Sequence, residues 1–219
     1  MKVSAEGHRV PSTRREAMNH VLWPELRQAE IAEWDKLMNK HKTFVEVSVK
    51  EQTKPALPLM HVYDFKLNTD STIKRVKDRI VACGNRAKYG IDYNETFSAT
   101  AQMRTFRCFM ALAALHSLRV DAYDVTGAYL YGPMKETVFA RYPPGFPGKP
   151  GHVLKVCNNI YGMPQAGRNW SEVLTTGFKG YGLVQLKSEP CVWIHPNTSL
   201  MIATHVDDIL VASKSKEIN

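Results

Sequence analysis

Residues 200–212 (LMIATHVDDILVA) constrain the fold more than any other stretch, because two adjacent carboxylates, Asp207 and Asp208, separate two apolar runs. Apolar runs of this length broken by a short polar step read as two strands of a hairpin with the acids at its tip. Ionised carboxylates beside apolar walls are costly unless they are paired or hold a metal. The tip therefore points to a divalent cation, although for the pair taken alone a solvated turn or a stray calcium contact is the commoner explanation. A second acid of similar design lies in residues 120–130 (VDAYDVTGAYL), where Asp124 closes a strand-like segment and small residues follow at once. The expectation is that Asp124 and Asp207 meet on adjacent strand ends. Asp121, out of register with Asp124, reads as a surface or pairing residue.

Charge bears on the partner. Lysine and arginine outnumber aspartate and glutamate by 29 to 21, a net +8, which suits a polyanionic partner but also an ordinary basic protein. The four cysteines are far apart with no Cys-x-x-Cys pair, and no two histidines share metal-ligand spacing, so a zinc site is not expected. The amino terminus is polar and charged, and no run approaches the ~18 apolar residues of a membrane span. These features predict a reduced, intracellular protein, cytoplasmic or nuclear and not secreted, with no membrane partner.

Along the chain, residues 1–22 read as a flexible polar lead. Helical spacing runs from Trp23 through Ile31, Trp34, Leu37 and Met38 to about Asn39, with Pro24 in the first turn. Alternation predicts a strand over 44–49, and strands over 61–67 and 73–83 joined by the turn-forming residues 68–71. That hairpin carries Lys66, Lys74, Arg75, Lys77 and Arg79. Residues 105–118 are apolar on nearly all sides and predict a helix buried under a sheet. Residues 142–150, rich in proline and glycine, are a loop. A short strand over 153–156, a helix from Gly162 and Pro164 to about 180, and strands over 191–195, 200–206 and 209–212 complete an α+β layout without internal repeats.

Seven blocks in this order carry a family resemblance: residues 77–82 (KDRIVA), 90–98 (GIDYNETFS), 112–114 (LAA), 124–132 (DVTGAYLYG), 143–146 (PPGF), 161–170 (YGMPQAGRNW) and 206–208 (VDD). Together they resemble the signature blocks of copia-type retrotransposon reverse transcriptase. The resemblance implies a right-hand polymerase fold, with fingers at about 44–100 and 145–185 and a palm at about 101–144 and 186–219, its antiparallel sheet packed on helices. It also implies two Mg2+ ions, with Mn2+ as an alternative, acting on dNTPs over an RNA template or a DNA primer/template. Asp124 and Asp207 are then the first choice as metal ligands, because consecutive strand residues face opposite ways and Asp208 cannot aim where Asp207 does without an intervening turn. Asp208 supports them, and the Val125 carbonyl adds a ligand by analogy. Lys77 and Arg79, ahead of Lys66, take the role of triphosphate contacts. Tyr129 resembles the aromatic gate against a ribose 2′-hydroxyl, Gln165 the glutamine that positions template and nucleotide, and Arg168 a phosphate contact.

Three departures from the family pattern bear on activity. His205 stands where the family has a tyrosine near the primer terminus. Residues 99–103 (ATAQM) replace a proline, valines and an arginine. The chain ends at Asn219, where the family continues into the rest of the palm, a thumb and RNase H, with integrase lying upstream in the polyprotein. The expectation is a fragment that is weak or inactive as an isolated polymerase, the alternatives being a non-catalytic nucleic-acid-binding remnant and, more remotely, an unrelated metal-dependent phosphotransferase.

Overall fold

The computed structural model describes Ser4 and residues 7–214; residues 1–3 and 5–6 of the expected lead and 215–219 of the expected palm lie outside the described residues. In chain order the elements are α1 (Arg14–Met18), α2 (Trp23–Asp35), β1 (Phe44–Ser48), β2 (Leu59–Leu67), β3 (Ile73–Ala82), α3 (Met103–Leu115), β4 (Arg119–Asp124), β5 (Pro133–Ala140), β6 (His152–Asn158), α4 (Ala166–Gly180), β7 (Val184–Gln185), β8 (Val192–Ile194), β9 (Met201–His205) and β10 (Asp208–Ser213). They form two compact units, Met1–Asn94 with Pro133–Ala166, and Glu95–Gly132 with Gly167–Asn219. β5 falls in the first unit and almost all of α4 in the second. No helix among the described residues is long and apolar enough to cross a membrane.

The first unit holds a three-stranded sheet in the order β1-β6-β5 and the β2–β3 hairpin. Part of the stretch expected as a flexible lead is helical here. Thr13 caps α1 by accepting from the Glu16 amide at 3.2 Å. Ala17 on α1 is buried in a cluster with Leu26, Tyr63 and Phe65. The polar composition of the lead hid this docking, which needs only one small apolar residue on the inward side of a short helix.

The hairpin has two unlike faces. His61, Tyr63 and Phe65 lie opposite Ile80, Asp78 and Val76, while Val62, Asp64 and Lys66 lie opposite Arg79, Lys77 and Arg75. Directly opposed residues share a face, so the first set turns inward and the second outward. The inward set carries buried charge with partners. Glu30 of α2 is fully buried and receives Arg14 at 3.0 Å, Arg27 at 2.6 Å and the Tyr63 hydroxyl at 2.7 Å. Burial alone would raise its pKa, but those hydrogen bonds outweigh it and hold the carboxyl below its ordinary value.

His61 is equally committed: Nδ1 lies 2.7 Å from Asp78 Oδ2 and Nε2 lies 2.9 Å from the Pro144 carbonyl. Two acceptors require two donors, which only the imidazolium supplies. Burial opposes that charge, yet the Asp78 carboxylate and the Pro144 carbonyl raise the pKa of His61 above its ordinary value. A raised folded-state pKa gives stability that is complete below the unfolded value and lost as pH rises through the folded one. Hydrogen-exchange protection of the β2–β3 amides, corrected for intrinsic rates, should therefore fall as pH rises above about 6.5. His61→Gln should abolish that slope.

The second unit is built on a five-stranded antiparallel sheet in the order β4-β10-β9-β8-β7. Phe109 and Ala113 of α3 pack on Val192, Ala203 and Ala212. The alternate residues Trp193, Ile202 and Val211 pack with Leu183 and with Phe178 of α4. Strand alternation thus gives each helix its own face of the sheet. The expectation that α3 is buried all round is corrected: its inward line is Thr105, Phe109 and Ala113, while Met103 is 67% and Leu115 75% exposed. A single stripe at four-residue spacing is all that one sheet face can cover.

Candidate active site

β4 ends and β10 begins at acids. The register sets Asp208 directly across from Asp124 on one side and from His205 on the other. The Val125 amide donates to the Asp207 carbonyl at 2.9 Å, one residue beyond the pair. That bond makes Asp124 and Asp208 a non-hydrogen-bonded antiparallel pair, in which Cα atoms approach to about 4.5 Å and side chains share a face. Like charges so placed repel. Neighbouring Asp121 relieves its charge through Arg119 at 2.6 Å, in keeping with a pairing role. Among the described residues no lysine, arginine or histidine forms an ion pair with Asp124, Asp207 or Asp208.

Asp207 occupies the two-residue turn of the β9–β10 hairpin, after Val206, whose φ is 58°. Its charge is felt on the other side of the tip, where burial and the Asp207 carboxylate raise the pKa of the Tyr129 phenol. Tyr129 lies in a short 3-10 turn, Ala128–Tyr131, entered through Gly127 at φ 76°, a left-handed conformation that suits glycine. Asp208 and His205 line a cleft of about 470 Å³ with Phe106 and Tyr123, and the His205 ring stands edge-on to Phe106 at 6.1 Å. The two acids of the tip therefore serve different surroundings: Asp208 shares the cleft with His205, and Asp207 neighbours the tyrosine.

In the first unit, Lys66, Arg75, Lys77 and Arg79 share the outward face of the hairpin. Lys66 is paired with Asp64 at 3.0 Å. Burial, then the charges of Arg79, Lys36, Lys66 and Arg75, lower the pKa of Lys77. Arg79 lies over the Tyr161 ring at 5.6 Å. Crowded cations of this kind favour an anion among them.

The reverse transcriptase (RNA-dependent DNA polymerase) family matches residues 41–219. The chain is 31% identical over 213 residues to the retrovirus-related Pol polyprotein from transposon TNT 1-94 of Nicotiana tabacum, covering 95% of this chain and 16% of that protein. It is 30% identical over 205 residues to the Pol polyprotein from transposon RE2 of Arabidopsis thaliana, covering 92% of this chain and 14% of that one. The transposon Ty1-BL Gag-Pol polyprotein of Saccharomyces cerevisiae is 26% identical over 176 residues, or 78% of this chain and 9% of that protein. The chain belongs to the copia-type retrotransposon reverse transcriptases. It spans under a fifth of the length of these relatives.

Two blocks by which the copia-type resemblance was read are locked together in the first unit. The Ala82 amide, closing the KDRIVA block, donates to the Tyr161 carbonyl at 2.8 Å. Gly162 follows at φ 84°, and a Cβ there would collide with the Ala82 carbonyl. Gln165, expected at the nucleotide, is 2% exposed; its amide donates to the Asp92 carbonyl at 3.0 Å and its Oε1 accepts nothing among the described residues. It holds the turn of the GIDYN block. Arg168, expected at phosphate, is held by Glu95 at 2.7 Å and by Glu172 at 2.9 Å. The Val125 carbonyl accepts from the Ala128 amide at 3.1 Å. Sequence reasoning passed over Trp170, whose indole N–H donates to the Val206 carbonyl at 2.7 Å. Only its closing place in the YGMPQAGRNW block marked it.

Among the described residues no three His, Cys, Asp or Glu side chains are already gathered to hold a metal ion. The donor set nevertheless suits Mg2+, which takes one or two carboxylates and fills its remaining positions with water and substrate phosphate. Opposed carboxylates without a cation repel, and that repulsion can be measured. Asp208→Asn should raise Tm in metal-free buffer by roughly 2–4 °C, reflecting up to about 1 kcal/mol of relieved cross-strand repulsion. Thermal unfolding at millimolar Mg2+ should erase the difference.

Proposed function

We propose that this chain is the RNA-directed DNA polymerase portion of a copia-type Pol polyprotein, extending a primer 3′-hydroxyl with dNTPs on RNA or DNA templates. The observation that carries the reading is the pairing of Asp124 with Asp208 at the open ends of β4 and β10, with which no cationic side chain among the described residues forms an ion pair. Asp124, Asp207 and Asp208 are the residues to hold divalent cations. When bound there, two such ions would supply Lewis-acid activation of the primer hydroxyl and charge stabilisation for the departing pyrophosphate.

The side chains divide the remaining work. Tyr129, beside Asp207, screens the sugar of the nucleotide. The outward face of the β2–β3 hairpin takes phosphate oxygens, Arg79 by a planar fork and Lys77 as a point charge. Gln165 contributes through the turn at Asp92 that it holds. His205, across from Asp208, meets the primer terminus. A second reading, a nucleic-acid-binding remnant without turnover, draws on His205 in place of the family's tyrosine.

Primer extension with the purified chain and Mg2+ or Mn2+ decides between them. Under the polymerase reading Asp124→Asn and Asp207→Asn each remove several kcal/mol of transition-state stabilisation, at least about a hundredfold in rate. Salt-sensitive binding of primer–template should persist in both variants. Extension absent from the unsubstituted chain with either ion, with binding intact, would leave only the remnant. For the basic face, Arg79→Ala should raise the KM for dNTP by roughly ten- to hundredfold, since a charge-assisted hydrogen bond is worth about 1.5–3 kcal/mol. Steady-state kinetics at varied dNTP checks this, and Arg79→Lys should recover only part of the loss.

A further inference from the structure

Trp170 is 6% exposed on α4 and donates its indole N–H to the Val206 carbonyl at 2.7 Å. The acceptor is an unusual residue. Val206 has φ 58°, and the other non-glycine residues with positive φ among those described are Lys42, Ser71 and Ser117. Of these four only valine is β-branched, the side-chain type for which a left-handed backbone is a genuine outlier. Strain of this kind persists where the surroundings over-determine it.

The surroundings of Val206 do so from two directions. On one side the Trp170 indole holds its carbonyl; on the other the next carbonyl, that of Asp207, accepts from the Val125 amide at 2.9 Å. The Trp170 ring also meets Tyr131 at 6.2 Å, at the end of the short turn that carries Tyr129. The clamp and the neighbour of Asp207 thus belong to one packed group.

We propose that Trp170 is a positioning residue for the acidic turn: its hydrogen bond keeps Val206 left-handed, and thereby fixes the directions in which Asp207 and Asp208 are presented to divalent cations. The cation and the reaction rest on the polymerase reading above; the hydrogen bond does not. Without the indole donor, Val206 relaxes toward the negative φ that valine prefers, and the Asp207 that follows it swings with the backbone. A Trp170 that merely filled space would be replaced by phenylalanine with little consequence for the turn.

The test uses the full chain and Trp170→Phe, which keeps an aromatic ring and lacks the N–H. In the unsubstituted protein the Trp170 indole N–H, assigned through bonds by triple-resonance NMR, should exchange with deuterium at least about tenfold more slowly than an exposed indole. Exchange at the exposed rate would overturn the clamp, whatever the polymerase does. Mn2+ binding followed by electron paramagnetic resonance should weaken roughly tenfold in Trp170→Phe. Adding Val206→Gly should restore it, because glycine adopts positive φ unaided. Unchanged Mn2+ affinity in Trp170→Phe, or no recovery in the double variant, would refute the proposal. Should Trp170→Phe fail to fold, the exchange measurement still decides, together with Val206→Gly alone, which must bind Mn2+ at least as well as the parent. In primer extension, kcat should fall roughly ten- to hundredfold in Trp170→Phe with the KM for dNTP unchanged. A parent chain that does not extend primers removes the polymerase reading and leaves exchange and Mn2+ binding to judge the clamp.

Discussion

Cross-strand register is the constraint on which the second unit depends, because it forces two carboxylates into the closest approach that an antiparallel sheet allows. Asp124 and Asp208 are directly opposed, and the Val125 amide bonded to the Asp207 carbonyl defines theirs as the narrow kind of pair. A sheet tolerates that placement only at its ends, where water reaches both groups. A shift of one residue in register would turn Asp208 to the other face and bring Ala203 and Ala212 out from under α3. The packing that buries the sheet and the geometry that opposes the acids are therefore one specification.

Burial on both faces explains why the acids lie only at the margin. With α3 over Ala203 and Ala212, and Phe178 of α4 over Trp193 and Ile202, the middles of β9 and β10 admit no ionised group. Small residues on the α3 side let the helix approach, while the larger Trp193, Ile202 and Val211 fill the other side. The apolar runs on either side of Asp207 and Asp208 are the sequence record of this two-sided burial, which makes strands read as continuous rather than alternating.

Local patterns of this kind were legible in the chain itself. Sequence alone indicated the acidic hairpin, the strand ending at Asp124, the basic hairpin and the order of the family blocks, because each depends on residues close together or on simple alternation. Less was legible where tertiary partners decide. β5 opens with a proline and alternates weakly, so its pairing with β6 has no local signal. The docking of α1 through Ala17 was masked by charged neighbours, and α3 looked buried all round because its composition does not say how many faces a sheet can cover. Gln165 and Arg168 were placed by position within a block, whereas their hydrogen bonds to Asp92, Glu95 and Glu172 come from the fold. Trp170 had no signal of its own, since its partner is a backbone carbonyl far along the chain.

The chain treats its acids in two opposite ways, and the contrast carries the functional argument further than the acidic pair does alone. Glu30 is buried and surrounded by Arg14, Arg27 and Tyr63; Asp78 is buried against His61. At Glu30 desolvation is answered by donors built into neighbouring elements, the condition under which buried charge is tolerated, while at Asp78 the His61 hydrogen bond offsets only part of it and burial still raises the pKa. The half-buried acid Asp121 has Arg119 two residues away on its own strand. A chain with 29 lysines and arginines has no shortage of cations to supply. Yet at Asp124, Asp207 and Asp208 none forms an ion pair among the described residues, and the turn between the strands is held in a conformation unfavourable to its valine. Opposed carboxylates without an ion pair are a local cost that a cation from outside the chain would offset under the proposed reading. Under the proposed polymerase reading, a divalent cation is the ligand whose charge, hardness and preference for carboxylate oxygen would offset that repulsion.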